Sequence, residues 1–216
     1  MSDRWGRVAP LTGVLFAAIV VAAVVTGSSE TPKASVSAAK VVSYYSEHHS
    51  EVETSGILFS LGFLVLVLFA GALRSYLRRT AAAEGLGALV LAGAIMMTIA
   101  ALAATGVEYG LAHNLHDFTP EAAKTLNFIS NELFFPVLAG GFIFGVSAGI
   151  AILRGAALPK WLGWVAIVIG ILTLIPPTSF PALFAFLIWT VIVSVLMYLR
   201  GGGSVGATST FAVEPA

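Results

Sequence analysis

SGILFSLGFLVLVLFAGAL, residues 55–73, runs nineteen positions without a charge and is closed at once by Arg74, followed by Arg78 and Arg79. As a helix rising 1.5 Å per residue it would be about 28 Å long, close to the ~30 Å hydrocarbon thickness of a bilayer. A soluble domain would interrupt such a run with polar residues every turn or two. Here the only polar side chains are Ser55 and Ser60, and the density of Leu and Phe suits a face turned to lipid. The rest of the chain follows suit: 58% of its 216 residues are hydrophobic and 10% are charged, against roughly 25% charged in soluble proteins. The reading is an all-α polytopic membrane bundle.

Upstream of this run, residues 36–47 place Val36, Val41, Val42 and Tyr45 at spacings near three and four among Ser, Ala, Lys40 and Glu47. That pattern predicts a short amphipathic helix lying along the outer membrane interface. Residues 27–35 are rich in turn formers, and Pro32 discourages helix. The first apolar run, about 8–26, follows Arg4 and Arg7, as in a signal sequence or a signal anchor. It is longer than the usual 7–15-residue apolar region of a cleaved signal and lacks a nearby small-x-small site, so it reads as a retained first span. Cleavage would leave five spans with unchanged orientation.

Downstream, residues 85–107 form an Ala- and Gly-rich third span suited to the bundle interior. The polar stretch 108–132 follows, with Thr119 as a helix cap before Pro120. The fourth span, 133–153, carries Gly141, Gly145 and Gly149 on one face. This small-xxx-small stripe serves close packing, either within one bundle or between two copies in a homo-oligomer. The fifth span, 160–175, is short and leans on interfacial Trp161 and Trp164, and Pro176-Pro177 stops it. A turn over 176–180 leads to the sixth span, 181–199, and the Gly-rich tail 201–216 reads as a disordered cytoplasmic tail.

Charge orients these six spans. The side holding both termini carries Arg4, Arg7, Arg74, Arg78, Arg79, Arg154, Lys160 and Arg200, and the opposite side carries Lys33, Lys40 and Lys124. The more basic side marks the cytoplasm. Both termini are therefore expected inside a cytoplasmic membrane, and eight of the eleven carboxylates fall outside.

The candidate chemistry is outside as well. His48, His49, His113 and His116 all lie in outer segments with Glu47, Glu51, Glu53, Glu108, Asp117, Glu121 and Glu132. His113 and His116 are three apart, and with Asp117 or Glu108 they form the candidate ligand set for a divalent metal. His48 and His49 point about 100° apart on a helix and do not share one ion. The competing reading is solvated interfacial histidines and capping carboxylates.

Elsewhere the sequence excludes more than it supports. Without cysteine there are no disulfides and no thiolate sites. The span centres hold hydroxyls such as Ser60, Thr98, Ser147, Thr173, Thr190 and Ser194 but no ionisable group, which weighs against ion-coupled transport. Phosphate-loop, nucleophile-elbow and nucleic-acid signatures are absent. No cofactor is predicted, and an enzyme is the less favoured reading.

Three stretches carry a resemblance. Ser43-Tyr44-Tyr45 through His48, the span ending in Leu73-Arg74 and Leu77-Arg78-Arg79, and the run Leu158 to Trp164 resemble a broad group of bacterial six-span integral membrane proteins of unknown function. The resemblance implies the topology and a bacterial inner membrane, and no active residues. The expectation is a helical bundle presenting an acidic, histidine-bearing outer face to a partner protein or lipid. The alternatives are a metal-binding protein or enzyme at the outer interface, and a small-solute carrier not coupled through intramembrane charge.

Overall fold

A computed structural model describes residues 8–27, 31–33, 35–78, 84–155 and 158–201. Arg4, Arg7, Glu30, Arg79 and the tail beyond Gly201 lie outside the described residues. Every regular element among the described residues is helical. A short 3-10 turn, Ala9–Leu11, leads into α1 (Thr12–Thr26), followed by α2 (Ala38–Glu47) and α3 (His49–Leu77). Then come α4 (Glu84–His113), a 3-10 turn Leu115–Asp117, α5 (Pro120–Glu132), α6 (Phe134–Gly155), α7 (Lys160–Thr173) and α8 (Pro176–Gly201).

Five helical stretches are long and apolar enough to cross a membrane: Ala9–Thr26, His49–Leu77, Gly85–His113, Pro120–Gly155 and Pro176–Arg200. The sixth expected span, α7, has 14 residues, which at 1.5 Å each is about 21 Å, short of the ~30 Å hydrocarbon thickness. Trp161 and Trp164 in its first turns are exposed.

Helix ends differ from the sequence reading where polar residues proved compatible with helix. α3 begins at His49, six residues before the apolar run, and α4 continues through Glu108 to His113. Backbone hydrogen bonds inside a helix are satisfied whether or not the side chains are apolar, so hydropathy marks the membrane segment rather than the helix end. The turn expected over 176–180 is also corrected. α8 starts at Pro176, because proline lacks only an N–H that the first turn leaves unpaired anyway. The chain reverses instead at Leu174 and Ile175.

The long helices follow one another around a ring. α1 packs on α3, α3 on α4, α4 on α6, α6 on α7 and α7 on α8, and α8 closes back onto α1. Phe16 of α1, Phe144 of α6, and Phe186 and Trp189 of α8 meet edge-to-face and stacked at centroid distances of 5.2–6.4 Å. All four are buried, so an aromatic plug fills the centre of the ring. The buried share of the most apolar window rises from 33% in α3 to 44% in α4, the order expected of a Leu-rich lipid face and an Ala/Gly-rich inner helix. The Pro120–Gly155 segment exceeds both at 56%.

Glycine explains that burial. Gly145 and Gly149 sit against the α7 backbone, where a Cβ would lie 2.8 Å from the Ala166 carbonyl oxygen and 2.5 Å from that of Gly163. Gly141 faces Thr173 one further turn along the same seam. The stripe is thus occupied by α7 of the same chain.

Hydroxyls tie neighbouring helices together as well as their own backbone. Thr98 donates to the Phe63 carbonyl of α3 at 2.9 Å, and Thr173 to the Leu138 carbonyl of α6 at 3.2 Å. Ser60 and Thr105 are 3.0 Å apart across α3 and α4. Trp189 donates its indole N–H to the Leu162 carbonyl at 3.0 Å, and Ser194 bonds the Pro10 carbonyl.

Candidate functional site

One end of the ring bears Arg74, Arg78, Arg154, Lys160 and Arg200 near helix termini. The other end is covered by a folded cap. α2 starts at Ser37, whose hydroxyl accepts from the Lys40 N–H at 3.4 Å, and buries Val41 and Tyr45. α5 starts at Thr119, whose hydroxyl accepts from the Ala122 N–H, as its position before Pro120 predicts. Together with Val52 of α3 and with Leu111 and Ala112 of α4, Val41, Tyr45 and Ala123 form a second buried cluster, separate from the ring's core.

A polar lock runs through this cluster. The Tyr45 hydroxyl donates to Asn127 Oδ1 at 3.1 Å, and Asn127 Nδ2 donates to the Pro32 carbonyl at 3.0 Å. Asn131 adds a second bond to the Pro32 carbonyl at 3.4 Å. Asn127 is 1% exposed, so each of these bonds replaces water that cannot reach the site. The loop before α2 is thereby fastened to α5, 95 residues further along the chain.

Beneath the lock lies a largely enclosed chamber of about 80 Å³. Gly27 at the end of α1 and Thr31 border it on one side, and Tyr44 and Tyr45 of α2 on another. Among the described residues, Glu51, Val52, Ser55 and Phe59 of α3 and Glu108 of α4 also line it. Gly27 packs so closely on Ser55 that a Cβ there would lie 2.9 Å from its side chain, which brings α1 and α3 together at the chamber wall. Ser130 of α5 lies beside Glu108, and the side chain of Thr31 beside Tyr44. Burial, reinforced by the neighbouring charge of Glu108, holds both phenols above their ordinary titration range, so Tyr44 and Tyr45 stay neutral hydrogen-bonding groups at neutral pH.

The metal set read from the sequence is not brought together. His113, in the last turn of α4, stacks on Tyr109 and places Nδ1 3.0 Å from Glu53 Oε1 of α3. His116 sits on the exposed 3-10 turn with Nε2 3.4 Å from its neighbour Asp117. Glu108 lies more than a helical turn before His113 and borders the chamber instead. Among the described residues no three His, Cys, Asp or Glu side chains form a group able to hold a metal ion. His48 stacks on Tyr44 with centroids 4.9 Å apart and directs Nδ1 toward the Tyr44 carbonyl, while His49 is exposed.

Histidine spacing missed the residues that do converge, namely Tyr44, Tyr45, Glu51, Asn127 and Ser130. One signal for them exists in the sequence. Ala123, Asn127 and Ser130, at spacings of four and three, form the buried face of α5, and a polar pair on such a face marks a buried hydrogen-bond network.

Fold and site together define an all-helical protein with five helices long and apolar enough to cross a membrane and a folded polar cap over one end of the ring. No protein-family model matches the chain, and neither a curated protein nor a solved structure matches it.

Proposed function

We propose that the chain is a six-span protein of a bacterial cytoplasmic membrane, with both termini in the cytoplasm, that works by presenting its cap to a partner protein outside. α7 is the short sixth span, anchored by Trp161 and Trp164, and α2 is the amphipathic helix at the outer interface. Retention of the first span is supported by Phe16, which α1 contributes to the central plug at 2% exposure. The arginine-bearing end is cytoplasmic by the excess of basic residues there.

The observation that carries the interaction reading is the contrast between the two halves of the molecule. The ring centre is filled by aromatic side chains, while the capped end is a locked, folded polar surface. A pathway for solute would need polar groups or space at the centre. The cap exposes Glu47, Asp117, Glu121 and Glu132, with Lys33 and Lys40 as its exposed amines. This acidic balance repels anionic lipid headgroups and favours a protein partner with a basic surface. A photoreactive residue at Asp117, an exposed position of the cap, is expected to capture a discrete partner in intact cells, and Glu121→Lys/Glu132→Lys charge reversal in the same chain is expected to abolish the adduct. Adducts with lipid alone, or none, would remove this reading.

A further inference from the structure

We infer that the turn between α7 and α8 does not emerge into outer water but ends in the outer leaflet, where its tip is a contact surface for lipid acyl chains. Residues 161–199 carry no Asp, Glu, Lys, Arg or His, so one uncharged stretch takes in both arms of this hairpin and its turn. Every other connection between the expected spans carries at least one charged residue. The side chains at the tip are apolar and face outward: Leu174, Ile175, Phe180 and Phe184 are all exposed, and the last two pack edge-to-face at 5.3 Å.

The backbone of the turn is closed to water as well. The Leu174 N–H bonds the Ile171 carbonyl at 3.2 Å and the Ile175 N–H that of Leu172 at 3.3 Å. Pro176 and Pro177 have no N–H to satisfy. The next two N–H groups, of Thr178 and Ser179, both bond the Ile175 carbonyl, at 2.9 and 3.0 Å. No N–H from Leu174 to Ser179 is therefore left for water. The two hydroxyls are used in the same way, Thr178 donating to the Leu172 carbonyl and Ser179 to that of Pro176, each at 2.9 Å. A turn in water can leave its N–H groups to the solvent, whereas a turn in hydrocarbon must satisfy them internally.

Packing against neighbouring helices places the turn low. Thr173, the last residue of α7, donates to the Leu138 carbonyl, and Gly141 lies between Thr173 and Met97 of α4. From Met97, α4 runs on to His113, roughly 24 Å at 1.5 Å per residue, and stays apolar as far as Val107. Exposed apolar side chains such as Phe135 of α6 and Ile99 of α4 continue the lipid-facing surface beyond this level. The greater length of α8 lies at the arginine-bearing end. Its Trp189 bonds the Leu162 carbonyl in the first turn of α7, which leaves residues 190–201 beyond it. Because the hairpin enters and leaves by one side, the chain termini keep the side that charge assigns them. The side of entry rests on the orientation proposed above; burial of the turn does not.

The test uses the full chain with single cysteines at Ile175→Cys and Phe180→Cys, and Ser46→Cys on the cap as the water-exposed reference. An impermeant maleimide is applied to intact cells and to inverted vesicles. Both tip variants should lose labelling from either side and regain it once the protein is dissolved in detergent, while Ser46→Cys is labelled from one side. In proteoliposomes, a fluorophore on either tip cysteine should be quenched by lipids brominated along the acyl chain and little by aqueous iodide. If one tip variant fails to fold, the other carries the same expectation. Labelling of Ile175→Cys or Phe180→Cys in the membrane as readily as Ser46→Cys, or stronger quenching by iodide than by brominated chains, would overturn the inference. Labelling of Ser46→Cys only in inverted vesicles would instead reverse the orientation and leave the buried turn standing.

Discussion

Asn127 is the residue on which the capped end depends. It accepts from Tyr45 and donates to the Pro32 carbonyl from a position 1% exposed. Replacing it removes the acceptor of the Tyr45 hydroxyl and one of the two donors to the Pro32 carbonyl, which Asn131 still reaches, and losing a buried bond costs about 1–3 kcal/mol. Asn127→Ala is therefore expected to lower stability by about 1–3 kcal/mol and to speed hydrogen exchange across residues 38–47 while sparing α6 and α7. Equal loss of protection in α6 would show that the cap and ring are not separable in this way. His113 sits at the other extreme. Its contact is with Glu53 at 3.0 Å, but its side chain is 57% exposed, so His113→Ala is a surface change of small effect.

Among the elements, α6 and α7 make the tightest seam. A methyl group at Gly149 would lie 2.5 Å from a backbone oxygen and the same distance from an Ile167 side-chain carbon, and the backbone oxygen cannot move aside without displacing the helix. Gly149→Ala is expected to destabilise by about 1–3 kcal/mol, the usual cost of overpacking. Gly106 on α4 has open space where its Cβ would go. Gly106→Ala should be neutral or stabilising, since glycine within a helix costs about 0.5–1 kcal/mol relative to alanine. Thermal unfolding of the two variants in the same detergent checks the pair, and equal shifts would contradict the close approach. The glycine spacing was legible from the sequence, but its partner was not. Any helix with a complementary small face would serve, and α7 was chosen by Gly163 and Gly170 meeting it at matching heights.

For the whole molecule, the arrangement in the membrane can be tested directly because the chain has no cysteine. Ser46→Cys on the cap and Ser75→Cys near the arginine-bearing end are both exposed positions. An impermeant maleimide applied to intact cells should label the first and not the second, with the reverse in inverted vesicles. Labelling of Ser75→Cys from outside would reverse the proposed orientation. At this scale the helical class, five of the apolar helices and the grouping of basic residues at one end were all determined by the sequence. A run such as 55–73 has one stable form in lipid, because every backbone N–H and C=O must bond within its own segment. The closure of α8 onto α1, the aromatic plug and the chamber were decided only by tertiary structure. Thr31 comes from the loop before α2 and Tyr44, Glu51 and Glu108 from α2, α3 and α4, and their convergence depends on how the ring and cap pack. Hydropathy states which residues leave water, whereas the distances between the polar groups left at the capped end follow from side-chain packing that no local pattern encodes.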